Sequence, residues 1–182
     1  MSSIRLSCAL LASLAVGIFS GCSSTPTKSP DVTDAVRSSL DQAGLKNVSV
    51  SQDRDKGVVT LTGTTASDAD KSQAESIAKS IAGSQVVSDQ ISVQPPGDES
   101  TAKKVNSDLD EGIEKDFDAV LVGHKLDSVV KYDVKNGVVT LTGHVNSQSK
   151  RSWVEKLAAG VPNVKQVVNE LQVKHQKATS ST

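Results

Sequence analysis

The sequence predicts an α+β fold made of two tandem αββαβ modules, each a three-stranded sheet covered on one face by two helices. Three observations predict it. The heptapeptide Gly57-Val-Val-Thr-Leu-Thr-Gly63 recurs without change at Gly137–Gly143, eighty positions later, so the chain is a duplication. Around each copy, Val, Ile and Leu alternate with polar residues in short runs, the period of half-buried strands. Each pair of runs is flanked by stretches with apolar residues spaced at three and four, the period of amphipathic helices.

Taken in order, residues 1–21 stand apart from the modules. Arg5 precedes an apolar run from Leu6 to Phe19, too short to span a bilayer comfortably and of the length of an export signal. The run ends in Phe19-Ser20-Gly21-Cys22, which resembles a bacterial lipoprotein cleavage box: small residues admit the peptidase, and a thiol accepts the diacylglyceryl group. Cys22 is therefore the expected lipidation site and membrane anchor. The other reading is a plain secretory signal that leaves Cys22 a free thiol. Of the two cysteines, Cys8 lies within the signal, so no internal disulfide is expected in the exported chain. Several acyl chains on one residue would hold the protein firmly at a membrane. Ser23 stands where an inner-membrane retention signal would show Asp. The expected location is the periplasmic face of the outer membrane, or the periplasm if Cys22 is unmodified. Residues 22–30 form a polar tether.

Module one is expected over 31–94. Val32, Val36 and Leu40 mark its first helix, ended by Gly44; Val48 and Val50 mark a strand. Asp53–Gly57 is a turn, and Val59 and Leu61 point inward from the second strand. Ser67–Ala82 reads as a helix with Ala74, Ile77, Ala78 and Ile81 on one stripe. Val87, Asp89, Ile91 and Val93 form a third strand. Residues 95–100, opening Pro95-Pro96-Gly97, are the expected linker. Module two, 101–174, repeats the order. Val105, Leu109, Ile113, Phe117, Val120 and Leu121 mark a longer first helix, and Asn136-Gly137 is a strong hairpin signal between strands bearing Val130, Tyr132, Val134 and Val139, Leu141. A helix with Val154, Leu157, Ala158 and Val161 and a strand with Val167, Leu171 and Val173 complete it; 175–182 is a polar tail. The uncovered face of each sheet is expected to be wet. A module of about 65 residues has a thin core, so mutual packing of the two would relieve marginal stability.

The composition excludes several functions. Twenty basic and 21 acidic residues leave no general attraction to nucleic acid or anionic lipid. With only Phe19, Phe117, Tyr132 and Trp153 as aromatics, stacking platforms for bases or sugars are not expected. The glycines at 57/63 and 137/143 bracket a strand and lack the Lys-Ser/Thr of a phosphate loop, so they read as strand-end turns. His124, His144 and His175 show no metal-ligand spacing, and no Gly-x-Ser-x-Gly elbow occurs. No enzyme, metal or cofactor is expected, and no nucleic-acid partner.

The repeated Gly-Val-Val-Thr-Leu-Thr-Gly, the Ala-rich helix after it and the run from Val164 through Val167, Asn169 and Leu171 to Val173 resemble the BON domain, named for bacterial osmotically inducible and nodulation proteins. The resemblance covers 31–94 and 101–174. It implies a non-catalytic periplasmic binding or scaffolding protein that meets phospholipid or envelope proteins and supports envelope integrity under osmotic stress. The alternative it implies is a holdase for outer-membrane proteins. Lipid contact through the first helix of module two, which the resemblance also suggests, conflicts with its charge: Asp108, Asp110, Glu111, Glu114, Asp116 and Asp118 outnumber Lys103, Lys104 and Lys115. The candidate contact is instead Lys150, Arg151 and Lys156 around Trp153. Its other reading is an ordinary solvated helix face with Trp153 partly packed as core filler.

Overall fold

The computed structural model describes residues 28–173; the signal 1–21, Cys22 with the tether through residue 27, and the tail 175–182 lie outside them. Module one runs α1 (Thr33–Gln42), β1 (Val48–Asp53), β2 (Val58–Thr65), α2 (Asp68–Ala82), β3 (Val86–Asp89) and β4 (Ser92–Val93). Module two runs α3 (Glu99–Gly123), β5 (Val130–Lys135), β6 (Val138–Val145), α4 (Gln148–Ala159), β7 (Gln166–Asn169) and β8 (Gln172–Val173). In each, the first two strands form an antiparallel hairpin, and the later strands pair parallel to the second.

Local chemistry explains the elements. Ser67 and Ser147 cap α2 and α4, each hydroxyl accepting from the backbone N–H three residues on, Asp70 and Lys150. Asn136 and Gly137 turn the second hairpin with φ of 51° and 82°, the left-handed values a tight two-residue turn requires. The third strand of each module, expected as one piece, is broken in two. Asp89 Oδ1 accepts from the Ile91 N–H at 3.1 Å, and Asn169 Oδ1 from the Leu171 N–H at 3.2 Å. Such a side-chain turn interrupts the ladder before the chain rejoins β2 or β6.

Gly63 and Gly143 differ from expectation: they lie within β2 and β6 and do not form strand-end turns. Their φ values are 108° and 118°, and a Cβ at either would collide with a backbone carbonyl, of Asn47 or Val129. The strand bends there so that one stretch pairs with β1 or β5 and the next with β4 or β8. The linker also differs. Helix α3 starts at Glu99, inside the stretch read as linker, because acidic and hydroxyl residues favour a helix start. Only Pro95–Asp98 connect the modules, folded as a turn with the Asp98 N–H donating to the Pro95 carbonyl at 3.1 Å. Of the stripe read along α3, Ile113, Phe117 and Leu121 are buried, whereas Val105 and Leu109 are 50% and 38% exposed, because the N-terminal half of the helix projects beyond the module-two core.

Each module has its own core. Val36, Leu40, Val59, Leu61, Ala74 and Ala78 lead the first; Ile113, Phe117, Leu121, Val139, Leu141 and Val154 lead the second. The faces away from the helices are not wholly wet, as had been expected. Val58, Val138 and Val168 form a third buried cluster, and Ser88 is buried with 1% exposure. These side chains alternate with the core residues of their strands and so point to the opposite face, where the two modules meet.

Thr65, Ser88 and Ser92 are buried but neutral, and among the described residues Asp89 is the one buried side chain that can carry a charge. It is 7% exposed, and burial pushes its carboxyl above the ordinary value of 3.8, against the Ile91 N–H and Lys71, which favour the charge. A raised folded value means that the folded chain holds the proton more tightly than the unfolded one. Stability from this group therefore falls as pH rises through the window above 3.8. Asp89→Asn keeps the oxygen that accepts from Ile91, as Asn169 does in module two. Because burial disfavours the Asp89 charge more than Lys71 and the Ile91 N–H favour it, we expect the change to raise stability at pH 7. The gain shrinks as pH falls toward 4, which urea unfolding at both pH values checks.

Candidate functional site

The residues singled out for surface contact lie on α4, whose inner stripe of Val154 and Ala158 is fixed in the module-two core. Trp153, one position off that stripe, is half-buried and packs against the core edge. Its ring meets His124 edge-on with centroids 4.9 Å apart, and Lys150 Nζ stands 4.1 Å from the indole centroid. The ammonium and the electron-rich ring face attract each other there, which holds Lys150 over the indole. Gln148, Ser149, Ser152, Trp153 and Lys156 line a shallow depression of about 380 Å³. Lys150, Trp153 and Lys156 therefore share one surface.

Arg151 does not join them. Its guanidinium turns inward and donates to the Asn169 carbonyl at 2.6 Å, while the Asn169 amide donates to the Arg151 carbonyl and to Glu155. Eighty positions earlier, Lys71 donates to the Ile91 carbonyl at 2.8 Å and lies 3.8 Å from Asp89. Both basic residues clamp the break in the third strand. Their role is structural and common to the copies. By contrast, Trp153, Lys150 and Lys156 correspond to Gln73, Asp70 and Ser76, so the surface is particular to module two.

The acidic helix is partly committed to structure. Asp110 accepts from the N–H groups of Asn136 and Gly137 at 2.7 and 2.8 Å, gripping the hairpin turn. Asp108 pairs with Lys104 and Glu111 with Lys115. The Tyr132 hydroxyl donates to the Glu114 carbonyl, and burial, followed by the Asp118 carboxylate, pushes its ionisation far above the ordinary phenol value. Between the modules lies a polar groove of about 670 Å³ bounded by Thr64, Gln90, Ser92, Asn106, Glu114 and Lys135, among others. Among the described residues, no three His, Cys, Asp or Glu side chains converge in a way that could hold a metal ion. His144 is exposed on β6; His175 and Cys22 lie outside the described residues.

The BON domain profile matches residues 29–95 and again 98–175. The chain belongs to the BON domain family. Its two BON modules correspond to the two αββαβ units of the fold. The chain is 31% identical over 153 residues to Osmotically-inducible protein Y of Escherichia coli (strain K12), covering 79% of this chain and 71% of that relative. Two solved structures of CdsD, a structural protein of the type III secretion system of Chlamydia trachomatis, one of them its C-terminal domain, are also similar. They share 14% and 13% identity, each with a TM-score of 0.32 over 77% of this chain. The chain spans 66% and 62% of those two, slightly under two thirds.

Of the four residues read as a candidate contact, the structure brings Lys150, Trp153 and Lys156 together on α4 and turns Arg151 toward Asn169. The signal that separates them was present in the repeat: a basic residue kept at both 71 and 151 marks structure, and residues that change between copies mark what one module alone does.

Proposed function

We propose that this BON protein is a non-catalytic envelope protein, exported and anchored through lipidated Cys22, that meets anionic phospholipid headgroups through Lys150, Trp153 and Lys156 of module two and supports the envelope under osmotic stress. The observation that carries the lipid contact is the shared surface on α4: an ammonium held 4.1 Å over an amphipathic indole, with a second, exposed lysine on the same depression. A tryptophan partly buried against the core and lining an open depression suits the headgroup layer, and each basic residue at an anionic surface contributes about 1 kcal/mol. The similarity to an osmotically inducible relative over most of both chains supports the osmotic setting. The modules act as the carrier of the surface, and the anchor raises its local concentration at the membrane.

Flotation tests this. The chain from residue 22 onward with Cys22→Ser, so that neither an acyl group nor the apolar run Leu6–Phe19 contributes, is mixed at low salt with phosphatidylglycerol–phosphatidylethanolamine vesicles. We expect it to float, and expect Lys150→Glu with Lys156→Glu to lower the bound fraction roughly tenfold or more, at about 1 kcal/mol for each charge involved. Neutral vesicles should carry little of it. No flotation on anionic vesicles at low salt would remove the lipid-contact reading.

A further inference from the structure

The two modules meet as though related by a two-fold axis. Lys56 pairs with Glu170 at 2.6 Å, and their counterparts eighty positions away, Asn136 and Gln90, also meet: the Asn136 amide donates to the Gln90 carbonyl at 2.7 Å. At the centre, Val58 and Val138 are counterparts of each other and lie in one cluster with Val168, whose counterpart Ser88 is buried. The corresponding surfaces of the two modules thus face each other with pseudo-two-fold symmetry, and the same contacts can be made within one chain or between two copies.

What selects the partner is the connection. Pro95–Asp98 turn back on themselves, and Gly97 has φ +92°, the positive value that the third residue of a type II turn requires. Pro96 precedes it with φ fixed near −65° by its ring, so the reversal rests largely on the glycine. A Cβ at Gly97 would meet no atom within 4 Å, so this angle is not enforced by packing.

We infer that this chain forms a module-exchanged dimer with a second copy of itself: with residues 95–98 extended, module one of each copy packs on module two of the other through the contacts just described. The pairing is specific for one module against the other. The Gln166 side chain accepts from the Asp89 N–H at 3.0 Å and donates to the Val87 carbonyl at 2.7 Å, satisfying the free edge of β3. Its counterpart Val86 can do neither for β7. Two first modules would also set Lys56 against Gln90, without a carboxylate. The exchange is therefore of module one for module two, and two copies suffice to make every junction contact.

Gly97→Val tests the inference, because a β-branched residue resists positive φ at a position where its Cβ meets no atom within 4 Å. The parent is the chain from residue 22 onward with Cys22→Ser, which keeps neither thiol nor acyl group and lacks the apolar run Leu6–Phe19. Its mass is followed by light scattering from low to several hundred micromolar. The expected result is a dimer fraction at least several-fold higher for Gly97→Val than for the parent, returning to monomer when Val138→Asp is added. A Gly97→Val chain that stays monomeric throughout overturns the inference. A dimer that survives Val138→Asp overturns it too, because that association would use another surface.

Discussion

Gly143→Ala is expected to cost roughly 3 kcal/mol or more and to lower the thermal midpoint by about 10 °C or more. Two effects add. The residue sits at φ +118°, where an L side chain is strained, and its Cβ would run into the Val129 carbonyl oxygen, a backbone atom that cannot rotate away. Relief requires β6 to separate from the start of β5, which opens the pairing of Val130 with Gly143 and the donation of the His144 N–H to Val129. Gly63→Ala should behave alike in module one, against Asn47. Gly160→Ala is the control. Gly160 ends α4 at φ −84°, and a Cβ there finds neighbours at ordinary distances of 3.4 and 3.5 Å. It should change stability by no more than about 0.5 kcal/mol in either direction. Urea unfolding of the three variants checks the ranking; a Gly143→Ala chain as stable as Gly160→Ala would contradict the account of the bent strand.

Val138→Asp is the second large effect. Val138 is 2% exposed and lies between the modules with Val58 and Val168. A carboxylate placed there is buried against the side chains of Val58 and Val168, which costs about 3 kcal/mol or more while the modules stay together. Separation rehydrates the charge. The chain therefore escapes most of that cost by giving up the contacts of the junction, the Lys56–Glu170 pair and the Gln166 bridge included. The cores of the modules share no residue with the junction cluster, so each module remains folded, at the lower stability of a small domain. Val59→Asp would act differently, since Val59 belongs to the module-one core and its loss unfolds that module outright.

Much of this fold was legible in the sequence because duplication and periodicity report directly on backbone geometry. The Asn136-Gly137 turn, the serine caps and the inward residues Val59, Leu61, Val139 and Leu141 follow from rules that involve only near neighbours. What escaped was non-local. Gly63 and Gly143 announce a position that only glycine tolerates, but the carbonyl they must clear belongs to a residue more than ten positions earlier. Val105 and Leu109 continue a helical stripe correctly, yet a stripe does not tell where the partner surface ends. Arg151 looks like a surface charge beside Lys150 until its counterpart Lys71 is seen to make the same kind of contact. The junction had a local trace as well: alternation puts Val58 and Val138 on the sheet face opposite Val59 and Val139, where an apolar residue signals a cover.

Differential scanning calorimetry of the chain and of Val138→Asp tests most directly whether the two BON modules stand as one coupled unit. The parent should melt in a single transition whose calorimetric and van't Hoff enthalpies agree, and Val138→Asp should melt in two, each at a lower temperature. Two independent transitions in the parent, or a Val138→Asp profile that matches it, would contradict the paired arrangement.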